Sequence, residues 1–439
     1  MPAGIRELKI WANGEPVGSW RLSSRGRMEF EYEDAWLAAP DARPISISLP
    51  LPVSNSPYSG ARVEAFFDNL LPESDPIRRR LQERFHTPTR GAFDLLAAIG
   101  RDCVGAVQIV PADESPPRID RIEAVALSDA GVANEIAWAT SARTLIREHR
   151  EFRISIAGAQ EKTAFTWHAG RWCRPAGSTP TTHIFKLPLG VVSEFQVDMR
   201  TSVENEWLCA KIATAFGLPV ADCRIAEFAD QKVLVVERFD RQLHSSGRYW
   251  LRLMQEDFAQ ATGTPWHKKY QTEGGPGLLQ IAGILRSSVE SRRDLETLFR
   301  AQLMFYLLAA IDGHAKNFSI RILPGGKYQL TPLYDVLSAW PIIGKRANEI
   351  PLDKAKLAMA LPGRRPHYRL PEIQRRHFEE LGKAIGLTSI DRIIDETIEK
   401  TPEVVRNVQG TLPRNFPSRL AERIFAGMSK AAKALTTSN

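Results

Sequence analysis

The chain has 439 residues, of which 43% are hydrophobic and 25% are charged, and its net charge is +7. This length suggests two or three domains, and the composition is typical of folded proteins, so a wholly disordered chain is excluded. No apolar run approaches the roughly 20 residues that span a bilayer, and residues 1–16 lack the pattern of a secretory signal. We therefore expect a cytoplasmic protein. The charge excess is too small to identify a nucleic-acid-binding protein by itself.

The four cysteines are scattered along the chain, with no CxxC pair and no histidine pair nearby. This pattern argues against a disulfide framework and against a zinc finger. We expect buried, inert thiols at the four positions: Cys103, Cys173, Cys209 and Cys223.

The first 110 residues alternate strand-like runs with helical stretches. We predict strands at 8–11, 28–32, 45–49 and 104–110, and helices at 77–85 and 93–99, with Gly100 as a helix stop. Residues 111–147 are rich in Ala, Asp, Glu and Pro. The sequence therefore predicts a domain boundary near residue 145, between an N-terminal α/β domain at 1–145 and a C-terminal domain at 146–439.

The second part of the chain opens with a predicted hairpin whose tip contains small residues. An alternating apolar run at 152–156 leads into a short segment that returns to another strand. Backbone N–H groups at such a tip can hold phosphate oxygens, although an ordinary hairpin also needs one glycine. The segment consists of Ala157, Gly158, Ala159, Gln160, Glu161 and Lys162.

A lysine, an acidic helix and a strand follow in an order typical of kinases. Lys186 lies in a predicted strand, and a helix at 202–216 carries glutamates in its first turns. Protein kinases use a strand lysine and a helix glutamate in this order to hold nucleotide phosphates. Taken separately, a solvent-facing lysine and a favourable acidic helix start explain the same residues.

The strand at 232–236 occupies the place of the kinase hinge. It leads into Glu237, Arg238 and Phe239. Backbone groups at a hinge meet the edge of adenine, and the position in this order is the argument for the assignment.

The strongest signal is a polar turn directly after an apolar helix predicted at 295–311. Asp312 and Asn317 have the D-x-x-x-x-N spacing of the kinase catalytic loop, in which the aspartate orients the acceptor hydroxyl and the asparagine holds magnesium. A predicted hairpin at 318–333 then returns the chain to Asp335. An amide oxygen and a carboxylate brought together in this way suit Mg²⁺. We expect His314, Lys316 and Tyr334 to line the same ATP site.

Each residue also has an ordinary structural interpretation. Asp312 could cap a turn, Asn317 could satisfy a loop, and Asp335 could be the N-cap of a helix at 336–340. The whole set in kinase order is hard to explain in this way, so the kinase interpretation is favoured.

These residues belong to a wider pattern that resembles the HipA family, the serine/threonine kinase toxins of bacterial HipBA toxin-antitoxin modules. The matching segments are residues 66–72, 100–106, 153–163, 181–186, 236–241, 255–257, 274–277 and 312–317. The resemblance implies an α+β, two-domain HipA-like fold, in which a small α/β N-terminal domain packs on a larger, mainly helical domain with a divergent kinase core.

The resemblance also implies residue roles. Asp312 would be the catalytic aspartate, Asn317 and Asp335 the magnesium ligands and Lys186 the lysine on the ATP phosphates. Residues 157–162 would form the phosphate loop, and residues 237–239 would contact adenine. Ser155 matches the position that the family phosphorylates on itself. The chain departs from ordinary kinases because it has no G-x-G-x-x-G loop, and Tyr334-Asp335-Val336 replaces D-F-G.

The partners follow from the same resemblance. It implies a HipB-like helix-turn-helix antitoxin, a dimer that binds two toxin chains, and operator DNA through that complex. A translation-linked protein, such as glutamyl-tRNA synthetase, is the implied kind of substrate. Candidate DNA contacts, which a solvated helical face also explains, are Arg364, Arg365, Arg375, Arg376 and Lys383.

Two other classes of function stay open. The chain could be a non-catalytic nucleotide-binding corepressor, although the intact set of kinase residues argues against this. It could also be a metal-dependent hydrolase that uses Asp312, His314 and Asp335, although the sequence offers no second histidine at ligand spacing.

Overall fold

The computed structural model describes residues 5–140, 155–158, 160–192 and 196–436. The chain forms two compact units that interleave along the sequence. The first contains Met1–Leu187, Ala226–His267 and Ile320–Tyr328, and the second contains Pro188–Ile225, Lys268–Ser319 and Gln329–Asn439. The boundary expected near residue 145 lies outside the described residues, and the division at that point stays a prediction.

The described residues form strands and helices throughout the chain. The strands are β1 Arg6–Ala12, β2 Glu15–Leu22, β3 Met28–Tyr32, β4 Tyr58–Ser59, β5 Val107–Pro111, β6 Ala124–Ala126, β7 Lys162–His168, β8 Arg171–Pro175, β9 His183–Lys186, β10 Gly190–Val192, β11 Val197–Met199, β12 Cys223–Phe228, β13 Gln231–Glu237, β14 Arg241–Leu243, β15 Trp250–Arg252, β16 Gln255–Asp257, β17 Ser319–Ile322, β18 Tyr328–Leu330, β19 Lys356–Leu361 and β20 His367–Arg369. The helices are α1 Asp34–Ala38, α2 Ala61–Asp68, α3 Asp75–Phe85, α4 Ala92–Ile99, α5 Asp129–Thr140, α6 Ser202–Ala215, α7 Phe258–Ala261, α8 Leu278–Leu285, α9 Ser291–Leu308, α10 Arg375–Ile385, α11 Ile390–Gly410 and α12 Ser418–Ala434.

A five-stranded antiparallel sheet forms one part of the first unit, with the strand order β4-β3-β2-β1-β5. Alternate residues of β1 are buried, as the two-residue period of a strand with one covered face requires. Trp20 stacks on Phe67 of α2 with ring centroids 3.8 Å apart, and Phe93 of α4 packs on the same indole. Helices α2 and α4 therefore cover this sheet with aromatic side chains.

A second sheet in the first unit has the strand order β12-β13-β9-β7-β8-β6. Its core contains the buried rings of Phe165, Trp172 and Phe185, and the Phe185 ring meets each of the other two edge to face with centroids 4.8 Å apart. Strand β9 lies between β7 and β13, and Lys186 is its last residue. The buried centre of this sheet therefore fixes the position of that lysine.

A cluster of buried charges joins distant segments of the first unit. Asp102 accepts hydrogen bonds from Arg241 at 2.9 Å and from Arg252 at 3.2 Å, and it lies 3.5 Å from Arg238. Arg238 also binds Asp240 through two hydrogen bonds. Burial alone would raise the pKa of Asp102, but the three guanidinium groups hold it well below its ordinary value.

The second unit is mainly helical. Its central helix, α9, is buried along most of its last three turns and ends at Leu308, and the capping residue Ala309 has a left-handed φ of 48°. Asn205 of α6 forms two hydrogen bonds of 2.8 Å with the backbone of Ser338, so the chain beyond β18 is held against α6. Helices α11 and α12 pack on each other as amphipathic helices.

Three sequence predictions of secondary structure are wrong. Residues 155 and 156, the described part of the strand predicted at 152–156, form no strand, and β7 pairs with β8 and β9 instead. Residues 45–49 form a turn rather than a strand, because the backbone N–H of Leu49 donates to Ser46 and that of Ile47 donates to the Glu256 carboxylate at 2.7 Å. Residues 336–339 are not helical, so Asp335 is not a helix N-cap.

Most of the other structural predictions made from the sequence agree with the structure. The strands at 8–11, 28–32 and 232–236 and the helices at 77–85, 93–99 and 202–216 are confirmed within a few residues. All four cysteines are buried thiols, as expected. Within the described ranges, no helix is both long and apolar enough to cross a membrane.

Candidate functional site

The turn after α9 exposes Asp312 and buries Asn317. Residue 313 must be glycine, because a Cβ atom there would lie 2.3 Å from the Phe305 ring. The N–H of His314 donates to the Asp312 carbonyl at 2.8 Å, and that of Asn317 donates to the His314 carbonyl at 2.9 Å. The Asp312 side chain is 62% exposed, whereas Asn317 is 2% exposed. The aspartate is therefore accessible to a large partner.

The structure brings Asn317 and Asp335 together, as the hairpin prediction required. The Asn317 amide group donates to the Asp335 carbonyl at 3.2 Å, and Asp335 has a left-handed φ of 60°. The Tyr334 hydroxyl donates to the Lys316 carbonyl at 2.8 Å and lies 2.5 Å from the Ser319 hydroxyl. Tyr334 thus links the turn to the returning strand.

The Asn317 side chain has the property expected of a metal ligand. Its Oδ1 atom is buried and accepts no hydrogen bond from any residue that the structure describes. Such an orphaned acceptor costs roughly 1–3 kcal/mol, which a bound cation would offset. An amide oxygen beside a carboxylate fits Mg²⁺, which takes one or two protein ligands together with water and phosphate oxygens. The residues present therefore fit a magnesium ion carried with a nucleotide.

The alternative metal-hydrolase hypothesis used Asp312, His314 and Asp335. In the described part of the chain, no group of three or more His, Cys, Asp or Glu residues is arranged to hold a metal ion. His314 is 5% exposed, and its Nε2 atom lies 4.0 Å from Asp312.

The segment proposed as a phosphate loop lies in the first unit, and Ala159 is outside the described residues. Gly158 forms a parallel bridge with Pro72, and its carbonyl accepts from the Glu73 N–H at 3.1 Å. Ser155 is fully buried, and its hydroxyl donates to the Leu70 carbonyl at 2.8 Å. Residues 70–73 therefore hold this segment in place.

Two lysines lie together at the end of this segment. Lys162 and Lys186 are register partners across β7 and β9. The Lys162 ammonium group donates to the Ala157 carbonyl at 2.6 Å, and a Cβ atom at Gly158 would lie 2.5 Å from it. Register partners present their side chains on the same face of the sheet, so two lysines lie at the end of this segment, where they suit an anionic ligand.

Gln160 and Glu161, the two residues before Lys162, also have partners within the first unit. Glu161 pairs with Arg80 at 2.6 Å, and the Gln160 amide group donates to the Leu187 carbonyl. Both contacts fix the start of β7 against its neighbours.

The expected hinge residues differ in their surroundings. Glu237 is exposed, and Phe239 is half-buried. The Arg238 side chain forms hydrogen bonds within the buried charge cluster, and the backbone N–H of Arg238 donates to the Thr182 carbonyl at 2.9 Å. An adenine contact here would therefore depend on Glu237 and Phe239.

Glu204 and Glu206 are buried in the first turns of α6, in the second unit.

One residue of this site was missed by the sequence analysis. The hydroxyl of Tyr270 donates to Asp312 Oδ1 at 2.5 Å, and its ring meets His314 edge to face with centroids 5.1 Å apart. Tyr270 lies four positions before a segment of small or rigid residues, Gly274-Gly275-Pro276-Gly277, which is the only signal near it in the sequence.

The basic residues suggested as DNA contacts are partly engaged within the second unit. Arg375 forms ion pairs with Glu379, Asp391 and Asp395 at 2.5–3.0 Å. Arg365 lies 3.5 Å from Glu372. A solvated, ion-paired surface explains these two arginines, and a DNA contact by the group stays a prediction.

Comparison with known proteins identifies similar chains. The model of the HipA-like C-terminal domain matches residues 154–405, and that of the HipA N-terminal domain matches residues 8–110. A Sinorhizobium fredii protein named "Putative kinase Y4mE" is 32% identical over 413 residues, 92% of each chain. The "Serine/threonine-protein kinase toxin HipA" of Shewanella oneidensis is 28% identical over 309 residues, 67% of this chain and 66% of that protein.

A solved structure extends the similarity to the fold. The structure titled as the toxin-antitoxin system HipA, HipB and its operator DNA complex from Shewanella oneidensis contains a chain with a TM-score of 0.77 and 21% identity. The match covers 98% of this chain and 97% of that one. The HipA-like two-domain fold predicted from the sequence is thereby confirmed.

Proposed function

This chain belongs to the HipA family, and on that premise we propose that it is an ATP-dependent protein kinase that phosphorylates serine or threonine. The observation that carries the proposal is the turn after α9, which exposes Asp312 and pairs Asn317 with Asp335. Related proteins of matching length are named kinases, which supports the same activity.

Asp312 is the proposed catalytic aspartate. Phosphoryl transfer needs a group that orients the acceptor hydroxyl and accepts its proton, and kinases use an aspartate at this position. The Asp312 carboxylate is the exposed acid of the turn, so a protein side chain can reach it.

Asn317 and Asp335 are the proposed magnesium ligands. When bound, magnesium neutralises negative charge on the nucleotide phosphates. In this chain the buried Oδ1 atom of Asn317 and the Asp335 carboxylate would hold the ion. The hydrogen bond from the Asn317 amide to the Asp335 backbone keeps the two residues adjacent.

The remaining ATP contacts are proposed from two groups of residues. Residues 157–162, Lys186 and residues 237–239 would bind the phosphates and adenine, and His314, Lys316 and Tyr334 would line the site from the turn. Lys162 and Lys186 at paired strand positions support phosphate binding, because lysine side chains donate to phosphate oxygens.

Transfer of labelled phosphate from ATP to protein tests the proposal. We expect Asp312→Ala to abolish transfer and to retain ATP binding, because the aspartate acts on the acceptor. Asp335→Ala should lose transfer and bind Mg-ATP more weakly. Asp353→Ala, at an exposed aspartate in the same unit, is the matched control. Equal transfer by Asp312→Ala and the unmodified chain would contradict the assignment, and ATP binding without any transfer would support the corepressor alternative.

We also propose that the kinase is the toxin of a toxin-antitoxin pair. Its antitoxin would be a HipB-like DNA-binding dimer that binds two copies of this chain, and a translation-linked protein would be its substrate. The support is the named toxin relative and the fold shared with the chain of the HipA, HipB and DNA complex. Growth arrest on induction without the antitoxin, absent in Asp312→Ala, is the expected result.

A further inference from the structure

Tyr270 forms a side-chain hydrogen bond with the proposed catalytic aspartate. Its hydroxyl donates to Asp312 Oδ1 at 2.5 Å. The Nε2 atom of His314 lies 4.0 Å from the same oxygen. Both of these contacts involve Oδ1 and not Oδ2. Tyr270 therefore distinguishes the two oxygens of an otherwise exposed carboxylate.

The loop that carries Tyr270 is built to hold it. The N–H groups of Glu273 and Gly275 both donate to the Tyr270 carbonyl at 3.0 Å. Gly274 has a φ of 92°, and a Cβ atom at Gly275 would lie 2.1 Å from the Lys268 carbonyl oxygen. A side chain at either position would open this turn, so its two glycines fix the backbone of the tyrosine.

A second set of contacts fixes the loop and the ring within the same unit. The Gln271 side chain accepts a hydrogen bond from the Ala360 N–H at 2.8 Å. The Tyr270 ring packs edge to face on His314, which is buried two residues beyond Asp312. The loop is thus bound to β19 through Gln271, and the tyrosine ring packs on the turn that contains Asp312.

An exposed carboxylate on a turn rotates freely unless another group holds it. Phosphoryl transfer depends on placing the aspartate against the acceptor hydroxyl, and an error of about 1 Å can cost up to roughly a hundredfold in rate. A hydroxyl donor held by a rigid loop would fix one oxygen and direct the other toward the acceptor. The contact therefore has a catalytic consequence that packing alone would not give.

We propose that Tyr270 is a positioning residue, whose hydroxyl holds the Asp312 carboxylate in the orientation needed to receive the acceptor hydroxyl. This proposal rests on the proposed kinase function. It adds Tyr270 to the residues that serve the kinase reaction. It also gives the loop of Tyr270 and Gly274-Gly275-Pro276-Gly277 a role, which is to support the catalytic aspartate.

The test is the rate of label transfer from ATP to protein, with dephosphorylated casein added as an acceptor. Tyr270→Phe keeps the ring and removes only the hydroxyl. We expect its maximal rate to fall about tenfold, with an unchanged KM for ATP and an unchanged melting temperature. Tyr249→Phe is the matched control, because Tyr249 also packs on a histidine, His244, and should keep the full rate.

Other outcomes separate this proposal from its premise. A full rate in Tyr270→Phe with a slow Tyr270→Ala would show that the ring matters and not the hydroxyl, which overturns the proposal. A faster Tyr270→Phe would also overturn it, because the hydroxyl would then compete with the acceptor. In both cases, loss of transfer in Asp312→Ala would leave the kinase assignment intact. No transfer by the unmodified chain would overturn both.

Discussion

At the scale of single residues, the Asn317 side chain links stability to ligand binding. Asn317→Ala removes an unpaired buried acceptor and one hydrogen bond of 3.2 Å, so we expect the free energy of unfolding without ligand to change by only about 1 kcal/mol. The same change removes a proposed magnesium ligand. The increase in melting temperature that saturating Mg-ATP produces should therefore be largely lost.

Thermal unfolding with and without Mg-ATP measures this difference. Asn55→Ala is a suitable control, because the Asn55 amide group donates to Tyr32 and Asp34 within the first unit. It should retain the full increase with Mg-ATP. The same increase in Asn317→Ala would argue against a role for this amide oxygen in the nucleotide site.

Glu256 gives a pH-dependent prediction. It is fully buried, and burial raises its pKa to about 8, although hydrogen bonds from Ser46 and Ile47 lower it and the Asp257 carboxylate raises it. The unfolded chain releases this proton near pH 4.5, so the folded state binds more protons between pH 4.5 and about 8. In that window the Glu256 contribution to stability falls as the pH rises, by up to ~1.4 kcal/mol per pH unit.

Glu256→Gln mimics the protonated side chain and removes this loss. We expect the substitution to leave stability near pH 5 almost unchanged and to increase the free energy of unfolding at pH 8 by a few kcal/mol. Urea denaturation at both pH values measures the effect. Glu64→Gln, at an exposed helix position, should show no such pH dependence. A stability gain of Glu256→Gln that is equal at pH 5 and pH 8 would refute the proposed protonation.

At the scale of elements, Ser155 connects the phosphate-loop segment to a proposed self-inactivation. Its hydroxyl donates to the Leu70 carbonyl, and the side chain is fully buried. Phosphorylation therefore requires the segment to leave residues 70–73. A phosphoserine brings about −1.5 to −2 charges and cannot donate to that carbonyl, so the segment should not return. We expect protein incubated with Mg-ATP to accumulate phosphate on Ser155 and to lose ATP binding.

Mass spectrometry of the peptide containing Ser155, together with a nucleotide titration, tests both steps. Asp312→Ala should stay unmodified, and Ser155→Ala should retain ATP binding after incubation. A stoichiometrically phosphorylated protein with ordinary ATP affinity would rule out this mechanism. Because the serine is buried, modification should also be slow relative to phosphorylation of an external protein.

The sequence predicted most elements of secondary structure because their signals are local. The period of two in β1, the glycine stop after α4 and the hairpin after Asn317 each depend on neighbouring residues. The strand prediction for residues 45–49 is wrong because the carboxylate of Glu256, more than 200 positions away, accepts a hydrogen bond from a backbone N–H that a strand would use. The contact between Tyr270 and Asp312 could not be predicted for a similar reason, since no sequence pattern relates a tyrosine to an aspartate 42 positions later.

At the scale of the whole molecule, the buried charge cluster connects an N-terminal segment of the chain to segments much later in the sequence, all within the first unit. Asp102 lies within the match to the HipA N-terminal domain, and Arg238, Arg241 and Arg252 lie within the match to the C-terminal domain. All four belong to the first compact unit. Their side chains are at most 5% exposed, and the sequence alone could not show that they meet.

Asp102→Asn should therefore destabilise the protein strongly. The substitution keeps the size of the side chain but leaves three buried guanidinium groups with Asp240 as their remaining carboxylate in the cluster. Breaking a buried ion pair by removing one partner typically costs 3–5 kcal/mol, whereas an exposed pair contributes about 1 kcal/mol or less. Asp198→Asn, which removes the exposed partner of Arg200, is the matched control. Urea denaturation at pH 7 should show a loss of roughly 3–5 kcal/mol for Asp102→Asn and little change for the control. Equal stability of the two variants would mean that the arginines find other partners and that Asp102 does not join the N-terminal segment to the kinase-like part.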